Sequence, residues 1–487
     1  MEHASSFKRS LGLFDSTMLV VGSMIGSGIF IVSADIARTV GSAGWLLVVW
    51  VITGAVTLAA ALSYGELASM MPQAGGQYVY LREAYGPLVG FLYGWTLFLV
   101  IQTGTIAAVA VAFAKYTSVL LPWFSESHKL VRLGPLQVSA AQLLAIAVIA
   151  LLTAVNWRGI REGKVIQNVF TTAKVLALLG LIVLGVFVAR DPDVVTLNLA
   201  GFWQASRSVV DRGAVHFELL SAGALLAALG VAQVGSLFSA DAWNNITFTA
   251  GEVAEPHRNV PLSLALGTGI VIALYLLANV AYLSVLPITG DPKGIDVFAR
   301  GVQYATFDRV ATAAASRIMG DPAAWAMAVL IMVSTFGCAN GLILAGARVY
   351  YAMAKDGVFF RGVGELNANA VPGAALVLQS FWAALLCLSG SYGDLLDYVI
   401  FAVLIFYVLT VGGLFILRKR RPDAERPYKA WGYPLVPFLY MVVATAIALD
   451  LLVLKPRYTW PGIGIVLLGV PVYFVWKIRA AATQNPG

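Results

Sequence analysis

Two short runs inside apolar sequence hold the residues best placed to do chemistry. The first, VGSMIGSGIF (Val21 to Phe30), puts three glycines and two serines where a membrane helix would carry leucine. The second, SLFSADAWNN (Ser236 to Asn245), sets Asp241 just after Ser239 among otherwise apolar residues. Such residues hold a helix poorly, so both runs predict a helix that stops and restarts at membrane depth. Backbone N–H and C=O groups left unpaired there cost several kcal/mol each unless something binds them. A helix N-terminus also carries about half a positive charge and a C-terminus about half a negative one. Two such gaps side by side offer donors to a carboxylate and acceptors to an ammonium, a pairing that suits a zwitterion. The Gly22-xxx-Gly26 spacing by itself would equally serve close helix packing; the second gap, at the corresponding place in the other half of the chain, favours the break. One charge also stands out. Lys174, in TTAK, lies near the middle of an apolar segment, where a lysine costs roughly 2.5–3.5 kcal/mol and needs a partner or a task.

These residues must be positioned by membrane helices. The 487 residues are 59% hydrophobic and 12% charged, with a mean hydropathy of +0.82, far from the one-quarter charge usual in soluble domains. A polytopic all-α membrane protein is expected, since lipid must cover this much apolar surface. About twelve stretches are long enough to span: near 13–38, 44–71, 87–121, 137–155, 165–189, 218–254, 260–288, 321–354, 371–389, 393–417, 433–454 and 460–479. Residues 13–189 supply five spans and 218–417 another five, each set opening on its interrupted helix. Five is odd, so the second set enters from the opposite side and the repeats are inverted. Two further helices, about 433–479, complete a single domain over 1–487.

Of the 32 lysines and arginines, roughly 18 fall on the side of the termini and roughly 12 opposite, which favours both termini in the cytoplasm. The largest basic cluster, LRKRRPDAERPYK (Leu417 to Lys429), lies between two spans. Lys8 and Arg9 followed by an apolar run imitate a signal peptide, but the run is long and glycine-broken, so it is read as an uncleaved first span. Residues 190–217 and 289–320 are expected to cap the outer face, the second with a short surface helix.

Several classes are disfavoured. The net charge of +7 forms no continuous basic face, so no nucleic-acid partner is expected. Cys338 and Cys387 both fall in apolar segments, excluding a disulfide framework and CxxC metal ligation. The four histidines lie in termini, loops or span edges, and neither GxSxG nor HExxH occurs. No enzyme, cofactor or metal site is expected. A channel would pass substrate without saturation and without substrate on the far side, which distinguishes it from an exchanger.

In order along the chain come GSMIGSGIF, MPQAGGQYVYLREAYGPLVGFLYGW, VNWRGIREGKVIQNVFTTAKVLAL, FSADAWNNITFTAGEVAEPHRNVP and ARVYYAMAKDGVFF. Together they resemble the amino acid–polyamine–organocation (APC) superfamily, and within it the L-type (LAT-like) amino acid transporters, over about residues 11–478. The resemblance implies a fold of ten core helices in two inverted repeats, with discontinuous helices 1 and 6, plus two extra helices. It places the substrate carboxylate at Ser27 and Gly28, with Gly26 beside them. It places the α-amino group at carbonyls of Met24, Ile25, Phe238 and Ser239, with Phe238 as an aromatic gate and Asn244 as a nearby polar residue. In sodium-coupled relatives of the fold a Na⁺ joins helices 1 and 8 near helix 5, and the resemblance puts the Lys174 ammonium at that position.

The implied activity is Na⁺-independent, alternating-access exchange of L-amino acids, neutral ones foremost. Asp241 stands where many neutral-selective members have glycine, so it reads either as a contact to a cationic substrate side chain or the α-amine, or as an N-cap of the second half of helix 6. A proton-coupled amino acid or polyamine symporter is the alternative, because Lys174 would serve either mechanism. Glu66, Glu83, Glu252, Arg258, Arg348 and Asp356 read either as an inner gate network or as solvated helix ends. The expected partners are the amino acid substrate and the bilayer of the cell membrane. The loop LPWFSESHKLVRLGPL lacks the cysteine with which light chains bond a heavy subunit, so no disulfide-linked heavy chain is expected.

Overall fold

A computed structural model describes residues 7–133, 136–211, 214–320, 322–388 and 392–484. Among the described residues, eleven helices are long and apolar enough to cross a membrane. In chain order they are the first span Leu13–Ile31, second Ala43–Met70, third Pro87–Leu120, fourth Ala140–Arg158, fifth Gly163–Val188, sixth Ala222–Ser239, seventh Pro256–Val285, eighth Pro322–Lys355, tenth Val399–Arg420, eleventh Leu435–Leu454 and twelfth Pro456–Ile478. The ninth apolar stretch differs from its expectation: Gly373–Cys387 is a helix of 15 residues. At 1.5 Å per residue it rises about 22 Å, short of the roughly 30 Å of hydrocarbon.

The first span is the hub, packing on the fifth, seventh and eighth; the second lies along the seventh and the third along the eighth. The eleventh and twelfth are the least buried and form the flank. At one end, residues 190–217 form the helix Pro192–Ala200 and one strand of a hairpin, Ser206–Asp211 with Ala214–Leu219. Residues 289–320 carry the helix Val310–Met319, which differs from the surface helix expected: Val310, Ala311, Ala313, Ala314 and Ala315 are buried, and it packs on the seventh and eighth spans. The connection between spans three and four contains a second hairpin, Lys129–Leu133 with Leu136–Ser139, too short to leave an alternation in the sequence.

At the opposite end the chain's start is stitched to the end of the sixth helical region. The Ser10 and Leu11 amides donate to the Glu252 carbonyl at 2.9 and 3.0 Å, and the Ala254 amide returns a bond to the Leu11 carbonyl at 2.9 Å. This makes a parallel bridge between Leu11 and Val253. Lys164 donates to the Ser10 carbonyl at 3.0 Å and to Asp15 at 2.9 Å.

Five of the six charges singled out as inner-gate candidates join ion pairs across elements at this end. Glu252 and Arg348 are paired at 2.9 Å with both side chains buried. Glu66, wholly buried, accepts from Arg418 at 2.6 Å and from the Ala430 amide at 2.7 Å, and Arg426 stands 3.2 Å away. Glu83 bridges Arg82 and Arg421, and Asp356 takes Arg82 and the Tyr78 hydroxyl. Arg258 stays apart: its partner is Glu255 one turn away, both exposed. Glu252→Gln is therefore expected to destabilise the protein by roughly 3–5 kcal/mol, because it leaves the Arg348 charge buried and uncompensated. The thermal midpoint in detergent measures this; Arg258→Gln should leave it within about 0.5 kcal/mol.

Candidate functional site

The first break follows directly from its residues. The opening helix ends at Met24, Ile25 takes φ −75° and ψ 87°, and the helix restarts at Gly28. The released carbonyls are met by protein donors. Lys174 of the fifth span donates to the carbonyls of Gly22 and Ile25, each at 2.6 Å, and to that of Ser334 in the eighth span at 3.3 Å. All three of its protons are thereby used, and the side chain is buried. The Ser334 hydroxyl lies 3.0 Å from the Ile25 and Gly26 carbonyls, and the Cys338 thiol 3.0 Å from that of Ser23.

The sixth helix ends at Ser239 and resumes at Asn245. Ala242 turns the chain between them in the left-handed region, φ 65°, an uncommon conformation for a residue with a β-carbon. Tyr275 of the seventh span ties the two breaks together. Its hydroxyl is 3.0 Å from the Met24 carbonyl and 2.9 Å from that of Ser239, and its single proton serves one of them at a time.

Asp241 does not cap the restarted helix: Asn244 is the N-cap, without a side-chain capping bond. Its carboxylate instead accepts from the Tyr407 hydroxyl of the tenth span at 2.6 Å, so the capping alternative falls. The left-handed turn at Ala242 redirects the chain between Asp241 and the new helix start. Asn244 Nδ2 donates to the side-chain oxygen Oε1 of Gln77 at 2.9 Å, and Gln77 Nε2 donates to the Thr410 hydroxyl at 3.0 Å. Gln77 is placed by the AGGQY motif. Gly76 has φ +42°, and a β-carbon there would stand 2.7 Å from the Thr247 carbonyl carbon, a close approach only glycine allows.

Two small cavities flank Asp241, and both are lined by Asp241 and Tyr407. One, of about 20 Å³, reaches Thr57 and Tyr440. The other, of about 10 Å³, reaches Gln77, Gln102 and Asn244. Each has room for about one water, so this conformation is closed around the site. Leu97 and Ile101, at either end of a π-helical turn in the third span, line the smaller cavity. Such turns recur at functional sites.

Residues 11–470 match the family model of amino acid permeases. The chain belongs to that family. Among its relatives, the b(0,+)-type amino acid transporter 1 of Homo sapiens is 28% identical over 477 residues, 97% of this chain and 88% of the relative. The large neutral amino acids transporter small subunit 2 of Rattus norvegicus is 30% identical over 471 residues, 96% and 81% respectively, and its Homo sapiens counterpart matches equally well. The protein is thus an amino acid transporter family member of the LAT type within the APC superfamily, a multi-pass membrane protein whose named relatives are transporters rather than enzymes.

In this permease the expected site residues do converge, but their atoms are used differently. The Ile25 carbonyl serves Lys174, and those of Met24 and Ser239 share Tyr275. The space beside Gly28 is filled by Ser239, whose hydroxyl and Cα would lie 2.1 and 2.8 Å from an added β-carbon. Gly26 has more room, its nearest neighbour being Cys338 at 3.1 Å. Phe238 is buried on the sixth helix next to the break, yet neither cavity touches it. Tyr275, Ser334, Tyr407 and Gln77 were absent from the expected site. For Tyr275, Ser334 and Tyr407 the one signal is a polar group inside an apolar span, which must find a partner; Gln77 lies between the second and third spans, where that signal is absent. Gly28→Ala should drive the two breaks apart at a cost of about 1–3 kcal/mol. A lowered thermal midpoint, and no further stabilisation by added amino acid, is the expected result.

Proposed function

We infer that the permease is a Na⁺-independent exchanger of L-amino acids, neutral and cationic, working by alternating access between two inverted five-helix repeats in the cell membrane, with both termini in the cytoplasm. The observation that carries this reading is the Lys174 ammonium, which holds carbonyls of the broken first span and of the eighth span together. A monovalent cation bound there would draw on the same oxygens; a covalently attached cation performs that bridging in every state and makes transport indifferent to external Na⁺. Substrate recognition falls to the remaining peptide dipoles at the two gaps. Gly28 and Ile29 open the restarted helix, and among the described residues their amides donate to no backbone carbonyl, so they suit a carboxylate.

Asp241 supports admission of cationic side chains. It lines both cavities and faces the Tyr407 hydroxyl, an uncharged partner that leaves its negative charge uncompensated. A disulfide to a heavy chain would need an accessible thiol, and both cysteines are buried, which supports a reading without a disulfide-linked heavy chain, although a relative is named a small subunit.

Purified protein in proteoliposomes should take up labelled amino acid only when amino acid is present inside, at the same rate with Na⁺ or choline outside. Uptake into empty vesicles driven by a pH gradient alone would replace exchange with proton symport. Lys174→Met should abolish exchange, since no cation then bridges the first and eighth spans. Asp241→Asn should weaken cationic substrates about ten-fold, the order of one charge-assisted hydrogen bond, and leave neutral ones within about two-fold.

A further inference from the structure

The fourth span and the ninth helix leave between them a groove of about 590 Å³ that shares no residue with the site around Asp241. Ile146, Ala150, Ala154, Val377, Phe381 and Ala384 form its walls. Val377 and Phe381 are 50% and 60% exposed, so the groove opens outward from the helix bundle. Its two hydroxyls, Thr153 and Ser380, satisfy one another at 2.6 Å, and the groove asks an occupant for no hydrogen bond. One end is different. Trp157 and Arg158 line it where the fourth span stops, and Arg158 forms no ion pair among the described residues. This is also the end at which Lys164 reaches Ser10 and Asp15.

We propose that the groove binds one anionic phospholipid, an acyl chain lying along the walls and the phosphate on Arg158. The length fits: from Ile146 to Arg158 the helix rises about 18 Å, close to the roughly 15 Å of hydrocarbon in one leaflet. The ends also fit: tryptophan and arginine together mark the headgroup level, where an anionic lipid meets a basic side chain. A packed protein helix would be about 10–12 Å across and would bring no phosphate to the Arg158 guanidinium at one end. The bound chain fills the flank of the ninth helix, which is too short to cross the bilayer and is braced at its start by the Trp157 ring against Gly373, 3.0 Å from where a β-carbon would sit.

Native mass spectrometry of the full-length protein in a neutral detergent, mixed with dioleoyl phosphatidylglycerol or dioleoyl phosphatidylcholine, tests this. The wild type should retain one phosphatidylglycerol more tightly than phosphatidylcholine. Arg158→Gln should lower that retention about five-fold, the worth of one basic residue near an anionic lipid, and leave phosphatidylcholine unchanged. Ala154→Trp, which fills the groove, should remove the preferred site for both lipids, with amino acid-induced thermal stabilisation confirming its fold. Should that variant not fold, Arg158→Gln alone decides. Equal retention of the two lipids by the wild type, or unchanged phosphatidylglycerol retention in Arg158→Gln, overturns the proposal. So does an Ala154→Trp variant that keeps its lipid but loses a dimer or a bound polypeptide.

Discussion

A helix interrupted inside a membrane exposes peptide groups that hydrocarbon cannot satisfy, and the contact that makes this tolerable here is a single ammonium. Lys174 gathers the Gly22 and Ile25 carbonyls that the break releases together with the Ser334 carbonyl of the uninterrupted eighth helix, converting two liabilities into one joint between the first, fifth and eighth spans. The arrangement is reciprocal. A buried lysine is costly without partners, and the broken helix supplies partners that an intact helix would have kept for itself. Close packing follows: Gly22 must be a glycine because its missing side chain makes way for Gln167 and Thr171 of the fifth span.

The sixth helix solves the same problem by other means. Among the described residues, no cationic side chain enters its gap. A left-handed alanine turns the chain, Tyr275 reaches across from the seventh span, and the side chains of Asp241 and Asn244 are committed outward to Tyr407 and Gln77. The two gaps therefore differ in character. One is fastened by a fixed positive charge, the other carries a negative charge facing small cavities. Residues of the tenth span wall both cavities beside Asp241, and residues of the third span wall the smaller one.

Much of this was legible in the amino-acid order, for reasons that differ from residue to residue. Gly26, Gly28 and Lys174 stand out because each violates what an uninterrupted apolar helix needs, and a violation is visible without knowing the neighbours. Tyr275 and Tyr407 violate nothing: a tyrosine in an apolar span is equally suited to an interface or a core. Which carbonyl or carboxylate its hydroxyl meets depends on how helices far apart in sequence approach. Asp241 was ambiguous because capping and side-chain contact ask for the same residue type; the positive φ at Ala242 that separates them is a backbone property with no glycine to announce it. The shortness of the ninth helix and the hairpin between spans three and four were missed because element ends depend on local turns more than on periodicity.

The stitch between Leu11 and Val253 has a mechanical reading. Hydrogen bonds that run from Ser10 and Leu11 to Glu252, and back from Ala254, fasten the leading end of one interrupted rod to the trailing end of the other. Neither half-helix can move alone without tearing those bonds, so any displacement of one carries the other with it.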